Sequence, residues 1–125
     1  MARSRTITML VSRKTGDVFD AILDSPPKIM PDAIQNKDDS WSFSTPRGNA
    51  NLKFMENKTL GILDYRYKDD EATWDIPMKV VSSGEESEVT VTVVKPDVLT
   101  DSQFDERMIE IGSVFANLKT IIEKK

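Results

Sequence analysis

The chain has 125 residues, a formal net charge of −4, 38% hydrophobic and 30% charged residues, and neither Cys nor His. This length suits one domain with a single core, so residues 1–125 are read as one domain. The acidic balance speaks against nucleic acid as a partner, and the missing Cys and His exclude disulfides, the usual zinc sites and any His-activated nucleophile.

No apolar run reaches the roughly 18 residues of a membrane span, and the start carries no signal-peptide core. The expectation is a cytoplasmic protein with no membrane insertion, cofactor or metal. Arg3, Arg5, Arg13 and Lys14 form a basic cluster near the start, read as an ordinary solvated end.

Residues 6–11 (TITMLV) are β-branched and apolar, and predict a strand. Thr15 opens a helix with Asp17 in its first turn, where an anion suits the helix dipole. Phe19, Ile22 and Leu23 make its apolar stripe, and Ser25-Pro26-Pro27 stops it. Residues 28–35 predict a second short helix or an irregular bend.

From Asp38 the hydrophobic period changes from that of a helix to that of a strand. Trp41 and Phe43, Leu52 and Phe54, residues 60–67, then Trp74, Ile76, Met78 and Val80, and residues 88–95 form five strands joined by short turns. With the first strand the count is six, antiparallel wherever the turns are short. Pro77 cannot donate to a ladder, so its strand has an edge or a bulge there. The acidic clusters Asp38-Asp39, Asp69-Asp70-Glu71 and Glu85-Glu86 read as solvated turns.

A long amphipathic helix closes the chain over residues 101–123. Thr100 and Gln103 have capping-box spacing, and Leu99 and Phe104 that of a hydrophobic staple. Phe104, Met108, Ile111, Phe115, Leu118 and Ile122 make one apolar face, and Lys124 and Lys125 suit the negative end of the helix dipole. On this reading the inner face of the helix offers no catalytic group. The fold class is α+β: a curved antiparallel sheet of about six strands around a long C-terminal helix, with two short helices after the first strand.

This order, together with Val18-Phe19, Leu23-Asp24, residues 61–65 (GILDY), residues 77–81 (PMKVV) and residues 100–104 (TDSQF), resembles the START-like or Bet v 1-like superfamily (SRPBCC). More narrowly it resembles its small bacterial polyketide cyclase/dehydrase-like members. The resemblance implies a helix-grip fold with a cavity between sheet and last helix for an apolar or amphipathic ligand. Six strands, where larger members have seven, imply a small or filled cavity. Tyr65 stands where some relatives carry His.

The candidate ligand-binding residues are Trp41, Phe43, Phe54, Tyr65, Trp74, Met78, Phe104, Met108, Gly112 and Phe115, each with core packing as its alternative. Gly112, inside the helix, leaves room either for a ligand or for a bulky side chain such as Trp74. Asp64, Tyr65, Tyr67 and Asp75 are the weaker catalytic candidates; strand alternation keeps Asp64 and Tyr65 on opposite faces. The leading reading is binding of a small hydrophobic or amphipathic molecule, lipids included. The alternatives are a cyclase- or isomerase-like enzyme using the Tyr and Asp groups, and a homodimeric interaction module without ligand, using an exposed sheet edge or apolar outer positions such as Leu60 and Ile62.

Overall fold

The computed structural model describes residues 3–124, so Lys125 of the helix-dipole expectation lies outside the described residues. β1 (Ser4–Val11) starts earlier than the sequence pattern implies and buries Met9 and Val11. α1 (Thr15–Leu23) buries Val18, Phe19, Ala21 and Ile22 on one side. The prolines that end α1 also begin α2 (Pro26–Ile29), because the first turn of a helix has no use for their missing N–H groups.

The stretch expected as a helix or bend over 28–35 is instead divided. α2 ends at Ile29, and Ile34–Gln35 form β2, a two-residue strand paired with Ser42 and Trp41. The meander follows as β3 (Trp41–Thr45), β4 (Gly48–Asn57), β5 (Ile62–Lys68), β6 (Thr73–Ile76), β7 (Met78–Ser83) and β8 (Glu86–Val94). The sheet order is β1-β8-β7-β5-β4-β3-β2, with β6 paired to β5. Its eight strands are the expected six, plus β2, plus one division at Pro77.

Pro77 interrupts a strand without shifting it: Tyr65 pairs with Ile76 before the break and Ile62 with Lys79 after it, in one register. Asp64 occupies the gap and accepts the Met78 N–H at 3.0 Å. The carboxylate thus replaces a ladder bond that proline's presence disturbs.

Register decides which side chains share a face. Trp41, Leu52, Tyr67 and Trp74 lie in one row across β3, β4, β5 and β6. Phe54, Tyr65 and Ile76 form the next row. α3 (Asp101–Glu123) packs against this sheet and buries Phe104, Arg107, Met108, Phe115, Leu118 and Ile122. Its capping box is complete: Thr100 Oγ1 accepts the Gln103 N–H at 3.2 Å, and Gln103 Oε1 accepts the Thr100 N–H at 2.8 Å. Leu99 and Phe104 are both buried, as a staple requires.

The basic residues near the start pin β1 to α3. Arg5 reaches Asp105 at 2.8 Å, and Arg3 reaches Asp105 at 3.2 Å and Asp101 at 3.6 Å. Arg13 donates to the Glu123 carbonyl. Among the described residues no helix is long and apolar enough to cross a membrane.

Candidate ligand-binding cleft

Between β3–β6 and α3 lies a cleft of about 240 Å³. Phe43, Leu52, Tyr65, Tyr67, Trp74 and Ile76 supply its sheet wall, and Ile111, Val114 and Phe115 its helix wall. Met30, just after α2, and Pro46 and Arg47, in the β3–β4 turn, complete the rim. Gly48, which follows them, has φ +92°, where a Cβ would be strained and would strike the Asp70 carboxylate. That glycine lets the β3–β4 turn close on the β5–β6 turn, where the Asp70 N–H donates to the Arg47 carbonyl at 3.3 Å.

The ten binding candidates separate into groups. Phe43, Tyr65, Trp74 and Phe115 line the cleft. Trp41 and Phe54 line a second hollow of about 390 Å³ with Leu23, Asp24 and Pro27. Met78, Phe104 and Met108 are buried in the core and line neither hollow. The expectation for Gly112 is corrected on both sides: it lies outside the cleft lining, and a Cβ added to it meets nothing within 4 Å, so Trp74 does not press on it. Phe104 stacks instead on Trp74, with ring centroids 6.3 Å apart.

Of the catalytic candidates, only the tyrosines face the cleft. Asp64 is taken up by the Met78 N–H, and Asp75 is exposed on the other face, where its Oδ1 accepts the Arg66 Nε at 2.7 Å. Burial pushes the Tyr65 hydroxyl far above the ordinary phenol value, and Tyr67 adds to the effect. Burial, then the neighbouring Asp69 carboxylate, pushes Tyr67 up to about 12, against the pull of Arg107. Both hydroxyls therefore stay protonated near neutral pH and serve as hydrogen-bond donors and acceptors.

Sequence reasoning missed the charged end of the cleft. α3 does present an ionisable group inward: Arg107 is 6% exposed, and its Nη2 donates to Asp69 Oδ2 at 2.5 Å while its Nη1 donates to Glu71 Oε1 at 2.7 Å. The guanidinium carbon lies 5.2 Å from the centre of the Trp74 ring. Asp69 is correspondingly buried and not solvated, which corrects the reading of its turn. Burial raises the Asp69 pKa, but the Ala72 N–H, Arg107 and the Glu71 N–H outweigh it and hold the carboxyl below its usual value. Arg47 joins the same network: Nε meets Glu71 at 3.1 Å, and Nη1 and Nη2 donate to the two Glu110 oxygens at 2.6 and 2.7 Å. The only sequence signal was the spacing of Arg107, three residues after Phe104 on a helix whose inner side is otherwise apolar.

Among the described residues, no group of three or more acidic side chains is placed to hold a metal ion.

No family model matches the chain, and no match is found among curated proteins. Solved structures match throughout. The chain is similar to the Aha1 dimer from Colwellia psychrerythraea at 12% identity, covering 97% of this chain and 96% of that one, with a TM-score of 0.78. It is similar to Ara h 8.0201 at 11% identity over 100% of both chains, with a TM-score of 0.73. It is also similar to a START superfamily protein from Mycobacterium smegmatis at 10% identity over 97% of both chains, with a TM-score of 0.68. The chain therefore has the START-like, Bet v 1-like helix-grip fold.

Proposed function

We propose that this protein binds a small, largely apolar molecule in the cleft between β3–β6 and α3. The observation that carries the reading is the lining: aromatic and aliphatic side chains converge from the sheet and α3, with a few polar groups, Thr45, Arg47, Arg107, Glu110 and the two tyrosine hydroxyls, among them. That distribution is typical of a small-molecule site, where apolar surface supplies affinity and a few polar groups set orientation. Helix-grip folds of the START-like and Bet v 1-like kind are ligand-binding folds, which points the same way.

The size of the cleft limits the ligand. At about 240 Å³ it falls just under the roughly 300–1,000 Å³ of sites that enclose a drug-sized molecule. The ligand is therefore small, or leaves one end at the mouth. Tyr65 and Tyr67 orient it through their hydroxyls. Of the four catalytic candidates read from the sequence, only these two face the cleft, because Asp64 and Asp75 are committed elsewhere.

Native mass spectrometry of protein purified from its own host tests the reading. The expected result is a co-purifying small molecule that a cleft-filling variant, Val114→Trp, no longer retains. A molecule retained equally by both proteins, or no adduct together with no thermal shift against a library of small apolar compounds, overturns it.

A further inference from the structure

A charge network that reaches the cleft through Arg47, Arg107 and Glu110 is not electrically balanced. Two guanidinium groups, Arg47 and Arg107, face three carboxylates, Asp69, Glu71 and Glu110, in one connected network. We propose that the cleft selects a small amine, with its aryl or alkyl body among the aromatic rings and its ammonium on Glu110; the proposal rests on the ligand-binding reading above.

Three features lead to the charge of the ligand. An ammonium brings the network of two cations and three anions to neutrality, whereas a carboxylate leaves it two charges negative. Both guanidiniums are already engaged by two carboxylates each, so an acid has no unused fork to bind. Glu110, with 47% of its side chain exposed, is the carboxylate that a ligand at the mouth can reach. If an ammonium takes Glu110, Arg47 keeps Glu71 at 3.1 Å, and no charge is left stranded.

The interior also suits a cation. Phe43, Tyr65, Tyr67 and Phe115 bring aromatic rings to the cleft, and aromatic rings attract ammonium groups over their faces. Arg107 over Trp74 already shows a cation accommodated on this wall.

A titration of ¹⁵N-labelled protein with benzylamine, benzyl alcohol and benzoate, followed by NMR at neutral pH and constant ionic strength, tests the proposal. Benzylamine is expected to shift the amides lining the cleft and to bind at least about tenfold more tightly than benzoate. Glu110→Gln, an exposed and conservative change, is expected to erase its advantage over benzyl alcohol. Benzoate binding as well as the amine, an advantage that survives Glu110→Gln, or amine shifts confined to sites outside the cleft each overturns the proposal. Cleft shifts with benzyl alcohol in those cases leave the ligand-binding reading standing. If none of the three compounds moves a cleft amide, the amine proposal falls, and the ligand-binding reading stands or falls on the co-purification and library test above.

Discussion

Arg107 lies three residues after Phe104 and next to Met108, at the border of the inner stripe of α3. Its burial is tolerable because Asp69 and Glu71 meet it, and the gain from such a pair is small compared with the cost of breaking it. Arg107→Met leaves the Asp69 carboxylate buried and uncompensated. Urea denaturation is expected to show a loss of about 3–5 kcal/mol, partly restored when Asp69→Asn is added. The same pair sets an acid limit. The folded pKa of Asp69 is depressed, so its stabilisation is complete above the unfolded value of about 3.9 and is lost as pH falls through the folded pKa. Asp69→Asn is expected to flatten the fall in stability below about pH 4. At Gly112 the opposite change applies. The helix is regular there and a methyl group meets nothing within 4 Å, so Gly112→Ala should stabilise the protein by about 0.5–1 kcal/mol in the same assay.

α3 is the element whose ends the sequence described best, because a capping box is a local device. Thr100, Gln103, Leu99 and Phe104 lie within a few positions of one another and satisfy each other whatever the rest of the chain does. Thr100→Ala should therefore cost about 1 kcal/mol by thermal or urea unfolding, with the cleft unchanged. The meander was legible for a similar reason: alternating residues such as Trp74, Ile76, Met78 and Val80 all turn out buried on one face. β2 was not legible, since Ile34 and Gln35 carry no alternation of their own and are strand only because Ser42 and Trp41 lie alongside. The division at Pro77 was half legible. Proline announces a lost donor, but that Asp64 would accept the Met78 N–H depends on the pairing of β5 with its neighbour.

For the whole molecule, the cleft is where α3 fails to meet the sheet completely. Phe104, Met108, Leu118 and Ile122 are buried, whereas Ile111 stays half-buried and Val114 is 41% exposed at the rim. Val114→Trp should fold normally, because its side chain enters existing space, and should abolish ligand binding measured by NMR titration. A folded variant that binds as the parent does would place the site elsewhere.

Periodicity and local capping determined which segments are strands and helices, and the apolar sets then determined that sheet and helix pack together. Those signals act over a turn of helix or a pair of residues. The candidate site was decided on another scale. Arg107 and Asp69 are 38 positions apart, and Arg47 and Glu110 are 63 apart. A charged side chain reads the same in sequence whether it is solvated or buried. Its environment depends on which partner the fold delivers within hydrogen-bond reach, and here the pairing of β5 with β4 and β6 and the angle of α3 delivered it.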